Sequence, residues 1–200
     1  QIADDKQRDQ TAVLIAHALS RGNVEVAEEW LETLPPGLGR DRAVQALVRA
    51  IAAKNRPLDA LEWAFTIEDT NQQDAAVAQV IGQWARTDPD NAAAFVEDLP
   101  KGNLRDSGIM QLANGMAQQA PAAAAEWAMT IDKQNLRVNA VRGVLYRWAQ
   151  SDPEDAMRWV MNSSLPEARV AELRRTLSNI GRRKDANATG GMVYEKENRQ

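Results

Sequence analysis

The sequence predicts an all-α fold, an α-α superhelix (solenoid) of about five antiparallel helical hairpins closed by a C-terminal capping helix. Three observations predict it. Prolines recur at Pro57, Pro89, Pro121 and Pro153, 32 residues apart each time. After each proline a small residue follows (Ala60, Ala92, Ala124, Ala156) and then a large aromatic (Trp63, Phe95, Trp127, Trp159). Upstream of each aromatic, a second apolar series repeats with the offsets of one helical face: Val44, Leu47 and Ile51; Val77, Val80 and Trp84; Ile109, Leu112 and Met116; Val141, Val144 and Trp148. The residue after each series is small: Ala52, Ala85, Ala117 and Ala149. An earlier copy without the proline keeps Ala27 and Trp30, and Ala12, Ile15, Leu19 and Ser20 fit the upstream template before it.

Taken in order, the helices are predicted at 7–20, 24–34, 41–54, 57–68, 73–87, 89–99, 105–119, 121–131, 136–150, 153–162 and 166–182. Asp88-Pro89 and Asp152-Pro153 each place a side-chain acceptor before a proline at the first helical position, where the missing N–H costs nothing. Leu34-Pro35-Pro36-Gly37 and Leu99-Pro100-Lys101-Gly102 close two of the short second helices. Asp41, Asp74 and Asp106 stand near the next starts, where a carboxylate complements the helix dipole. Trp30 to Trp63 is 33 residues rather than 32, and the extra residue falls in the turn Lys54-Asn55-Arg56. Alternate copies are more alike than neighbours, sharing either the Leu-Pro-x-Gly exit or Trp-Ala-x-Thr-Ile, as at Trp63–Ile67 and Trp127–Ile131, so a pair-level period of about 64 is superposed.

These spacings give hairpin units near 7–34, 41–68, 73–99, 105–131 and 136–162 and a cap at 166–182, one helical-repeat domain over 1–184. Residues 185–200, with Asn187, Thr189, Gly190 and Gly191, carry no helical period and are expected to form an extended tail, a candidate for self-association.

Two antiparallel helices per unit, a small residue at their close approach and an aromatic on the second helix resemble the tetratricopeptide class of helical-hairpin repeats over about residues 7–182. The units are atypical, because the proline of Asp-Pro-x-x-Ala-x-x-Trp opens the second helix. The resemblance implies a curved superhelix whose concave surface, lined by the first helix of each pair, binds partners.

Composition excludes several other classes. Hydrophobic residues at 44% and charged residues at 26% are those of a folded chain, and no apolar run is long enough to cross a bilayer. A net charge of -4 argues against nucleic acid. Zero cysteines remove disulfides and thiolate chemistry, and with the start at Gln1 rather than Met they lean toward a bacterial exported or periplasmic fragment or processed product.

Chemistry has little to work with. His17 is the single histidine, so neither a Ser-His-Asp constellation nor a zinc pair can be assembled, and no catalytic, metal or cofactor site is expected. Asp4-Asp5 and Glu28-Glu29 read as solvated surface and Asp88 as a cap. The tryptophans are replaced at equivalent positions by Phe95, Ile51 and Met116, which marks packing rather than ligand stacking. From Glu167 to Lys184 the basic residues Arg169, Arg174, Arg175, Arg182, Arg183 and Lys184 outnumber the acids, and this run reads as the polar face of a capping helix, with contact to nucleic acid or an acidic partner as the alternative.

Aligning the copies also marks a strip that differs between them: Arg42, Gln45 and Arg49; Ala75, Ala78 and Gly82; Ser107, Met110 and Asn114; Asn139, Arg142 and Tyr146. Positions without a shared packing duty are free to serve recognition. Arg42, Gln45, Arg49, Met110, Asn114, Asn139, Arg142 and Tyr146 are therefore the candidate partner-binding residues, and the small middle would admit a peptide backbone. The expected function is a non-enzymatic protein- or peptide-binding scaffold. Alternatives are a helical accessory region of a larger, cell-wall-processing enzyme, and an RNA-binding helical repeat, the latter disfavoured by charge and by the lack of a repeated basic position.

Overall fold

The structure, a computed structural model, describes residues 2–180 and 182, and they are helical without strands. The expected tail at 185–200 lies outside the described residues. The helices are α1 (Ile2–Gly22), α2 (Val24–Glu32), α3 (Leu38–Ala53), α4 (Pro57–Phe65), α5 (Thr70–Trp84), α6 (Pro89–Asp98), α7 (Asn103–Met116), α8 (Pro121–Met129), α9 (Gln134–Ser151), α10 (Pro153–Asn162) and α11 (167–180). Each matches a predicted helix to within about five residues at either end. None of them is long and apolar enough to cross a membrane. The chain falls into two compact units, residues 1–115 and 116–200.

The period in the sequence is a period in helix starts. Pro57, Pro89, Pro121 and Pro153 each open a helix. Asp88 accepts the backbone N–H of Asn91 at 3.2 Å, and Asp152 that of Asp155 at 2.9 Å, both side chains capping as expected. The alanines three residues on, with Ala27, are fully buried, so the second helices approach their neighbours across a side chain no larger than a methyl. The upstream series is buried too, Val44, Leu47 and Ile51 without exposed area and Val141, Val144 and Trp148 nearly so, except that Trp84 is half-buried. Each such leucine or isoleucine contributes about 1.5–3 kcal/mol.

In the first unit, α3 and α4 are antiparallel, since the Arg40 guanidinium near the start of α3 donates to the Thr66 carbonyl just past the end of α4 at 3.1 Å. Successive first helices run in the same direction. Gln45, midway along α3, is bonded to Gln72, early in α5, at 3.0 Å, and Ala52 and Ala53, at the end of α3, line one cavity with Gln83 and Trp84, at the end of α5. The α5–α7 crossing is close. A Cβ on Gly115 would lie 2.6 Å from the Ala85 Cβ and 2.7 Å from the Gly82 carbonyl oxygen, and one on Gly108 would lie 3.1 Å from Ile81 Cδ1.

The exits differ in the use of glycine, whereas a threonine hydroxyl bonded back to the helix occurs in both, Thr33 donating to the Trp30 carbonyl at 2.7 Å before the Leu34–Gly37 exit. Gly37 and Gly102 have φ of 135° and 145°, a region that side-chain-bearing residues avoid, and their carbonyls accept the N–H of Asp41 and Asp106, each at 3.0 Å. In the other exit, the Thr66 and Thr130 hydroxyls donate to the Trp63 and Trp127 carbonyls at 2.9 and 2.7 Å, while Ile67 and Ile131 are buried. Asn55, in the turn with the extra residue, has a φ of 59°, and its N–H and that of Arg56 reach back to the Ala52 and Ile51 carbonyls.

Three sequence expectations need correction. Asp41 does more than complement a dipole. It is 2% exposed, and its two carboxylate oxygens accept the backbone N–H groups of Glu68 and Asp69 at 3.1 and 3.2 Å, so α3 caps the approach to α5. The aromatics of the second helices are half-buried rather than core, and the Trp159 indole N–H donates to Glu126 at 2.8 Å. Ile15 is 37% exposed, whereas Ala16 is fully buried, because α1 packs on α2 and α3 and no earlier hairpin among the described residues covers its other side.

Candidate functional site

The strip drawn from the aligned copies divides between the units. On α3, Arg42 and Arg49 are exposed, while Gln45 is half-buried and its amide N–H donates to the Gln72 side chain. Met110 and Asn114, on α7, are half-buried. The small middle is open at one end and closed at the other. Ala75 is exposed, whereas Ala78 is 4% exposed and Gly82 is buried, and a Cβ on Gly82 would meet Gln111 of α7 at 3.1 Å. Smallness at Gly82 serves the α5–α7 crossing and leaves no room there for a peptide backbone. Copy-to-copy variation therefore marks two things that look alike in sequence, free surface and helix crossings of unequal closeness.

The second unit gathers the strip residues around open space. On α9, the Arg142 guanidinium donates to the Asn139 side chain at 3.0 Å, and Tyr146, one turn on, is 52% exposed. Two cavities lie between α9 and α11. One, of about 570 Å³, is floored by Met129, Val138, Val141, Leu165 and Leu173 and rimmed by Arg137, Arg142 and Arg169. The other, of about 370 Å³, lies along Asn139, Gly143, Leu145, Tyr146, Arg147 and Leu177. Arg142 and Leu173 belong to both, so the two form one groove. Early α9 residues share the first cavity with early α11 residues, and later ones share the second, so α9 and α11 run in the same direction.

Why this groove is open follows from local packing. A Cβ on Gly143 would meet nothing within 4 Å, in contrast to Gly82, Gly108 and Gly115, whose missing side chains let helices touch. The Ser163 hydroxyl donates to the Val160 carbonyl at 2.8 Å, as the threonines of the earlier exits do, and the segment 163–166 then leads into α11 with Leu165 and Pro166 lining the groove. Leu173 and Leu177 anchor α11, at 8% and 1% exposure.

The electrostatics are one-sided. Arg137 is held by its bond to the Ile131 carbonyl at 2.8 Å, which fixes a guanidinium beside the cavity floor. Glu172 is the one carboxylate among the lining residues, and it is paired with Arg169 at 2.6 Å. The basic run noted in the sequence thus divides: Arg169 faces the groove, and Arg174, Arg175 and Arg182 are exposed elsewhere on α11. Sequence reasoning missed Arg137, Arg169, Val138, Gly143 and Leu173. Only the basic run pointed toward one of them.

Titration elsewhere follows from structural partners. The Asn91 side-chain amide, and then its backbone N–H, hold the Asp88 carboxyl below the ordinary carboxylate range. Arg56 is raised by its hydrogen bond to Asp59, at 2.5 Å, with Glu28 and Glu25 adding to it. His17 is exposed on α1. Comparison of the chain with protein-family models, with curated proteins and with solved structures returns no match.

Proposed function

We propose that this chain is a non-enzymatic scaffold that binds a protein or peptide through the first helices of a stacked hairpin array of tetratricopeptide-like architecture. The open α9–α11 groove is the observation that carries this reading, because it combines an apolar floor, an exposed tyrosine and fixed guanidinium groups. Tyrosine and arginine over a desolvated floor are the residue types that dominate interface energies. Support for a superhelix comes from the shared direction of α3 and α5 in one unit and of α9 and α11 in the other, as stacked hairpins require. The displaced groups Asp88 and Arg56 are spent on a helix cap and an ion pair, which favours a binding role over acid–base chemistry there.

The test is partner retention by the intact chain on a support, compared with Arg49→Glu, Arg142→Glu and a Glu29→Lys control, Glu29 being exposed on the second helix α2. A protein held by the parent and the control but released by Arg142→Glu supports the reading. Equal retention by all four chains, with folding intact, removes it.

A further inference from the structure

We propose that the α9–α11 groove binds an acidic amphipathic helix, taking its apolar stripe onto Met129, Val138 and Leu165, which line the groove and are half-buried, and its flanking carboxylates against Arg137 and Arg142; this rests on the protein-binding reading above. Charge is the first argument. The lining carries four arginines, Arg137, Arg142, Arg147 and Arg169, against Glu172 alone, in a chain of net charge -4. With more guanidinium groups than carboxylates in its lining, the groove attracts acidic segments. Glu172, paired with Arg169, offsets one of the four.

Shape is the second argument. Accessible apolar surface lies in both cavities, at half-buried Val138 in one and at the exposed Tyr146 ring in the other, eight residues of α9 apart and about 12 Å of rise. Apolar residues eight apart on a helix have that same separation, so one stripe can reach both cavities at once. A phosphodiester backbone would satisfy the arginines but leave the floor of Met129, Val138, Val141 and Leu173 facing a charged polymer. Bidentate guanidinium–carboxylate pairing fits the rim, and an apolar stripe fits the floor.

The probe is a synthetic helix of about 15 residues with leucines on one stripe and glutamates beside it. A second peptide carries lysine for each glutamate, a third glutamine for each leucine, and a single-stranded oligonucleotide serves as the polyanion without a stripe. Binding to the intact chain is read by fluorescence anisotropy at physiological ionic strength. The acidic amphipathic peptide should bind, with the other three weaker by roughly tenfold or more, a difference of the size one close charge pair sets. Arg142→Glu should lower that affinity by roughly tenfold. Gly143→Leu should do the same by filling the groove, with an undiminished melting temperature, since a side chain there meets open space.

Several outcomes overturn the proposal. If the lysine peptide binds as well and Gly143→Leu still blocks it, the groove binds helices and the acidic preference is wrong. If the glutamine peptide or the oligonucleotide matches the acidic helix, the apolar floor plays no part. If no peptide binds while Arg142→Glu still releases a retained partner, this occupant is wrong and the protein-binding reading stands; if neither occurs, both fall.

Discussion

Asp41→Ala tests whether hairpins are held in register by a buried carboxylate. In the parent, Asp41 accepts the N–H groups of Glu68 and Asp69 at 3.1 and 3.2 Å and is 2% exposed. Those two donors precede α5, whose own cap is the Asp69 side chain bonded to the Gln72 N–H at 2.9 Å. Alanine leaves both donors without that acceptor in a part-buried site, at about 1–2 kcal/mol each, and relieves the burial of one charge, so a net loss of about 1–3 kcal/mol is expected. Asp41→Asn keeps one acceptor oxygen and should lose about half as much. At about 2 cal/mol/K per residue, a unit of 115 residues melts about 4 °C lower for each kcal/mol lost. The assay is urea unfolding followed by helix signal, with amide hydrogen exchange at Glu68 and Asp69 as the local readout. A loss below about 1 kcal/mol for Asp41→Ala, or exchange at those amides no faster than in the parent, would refute the reasoning.

Glycines should divide by the space around them. Gly115→Ala forces a Cβ to 2.6 Å from that of Ala85 and should cost about 1–3 kcal/mol, whereas Gly143→Ala meets nothing and should gain up to about 1 kcal/mol, both read by urea midpoint at constant m-value. Asp88→Asn addresses pH. Asp88 has a folded pKa below its unfolded value, so its contribution is present above the unfolded pKa and is lost as pH falls through the folded one. The acid side of the stability curve should be shallower in Asp88→Asn, and an identical acid limb would contradict the capping assignment. Trp159→Phe deletes the donor to Glu126 while keeping most of the ring, and should destabilise the second unit by about 0.5–1.5 kcal/mol; no change would mean that the 2.8 Å bond contributes nothing net.

The elements were legible because the repeat restates each helix several times. Pro57, Pro89, Pro121 and Pro153 mark starts, and a face such as Val141, Val144 and Trp148 is readable once Val44, Leu47 and Ile51 stand beside it. Even the extra residue at 54–56 was visible, although that Asn55 takes the left-handed conformation was not. Long-range partners were less legible. Asp41 near a helix start looks the same in sequence whether it serves its own dipole or another helix's amides, and Gly82 looks the same whether it opens a surface or a crossing. Of the site, Asn139, Arg142 and Tyr146 were found on one helix by variation among copies. Arg137, Gly143 and Leu173 were not, because a groove depends on how far apart two helices stand, and helical periodicity carries no information on that distance.

Binding through first helices is tested most directly by amide hydrogen exchange on the intact chain with and without the acidic amphipathic peptide. New protection should appear in α9 over residues 138–146 and in α11 over 168–177, the segments that line the groove. It should be absent in Gly143→Leu, whose added side chain occupies that space. Protection confined to the second helices α8 and α10, or surviving unchanged in Gly143→Leu, would contradict the assignment of the binding face.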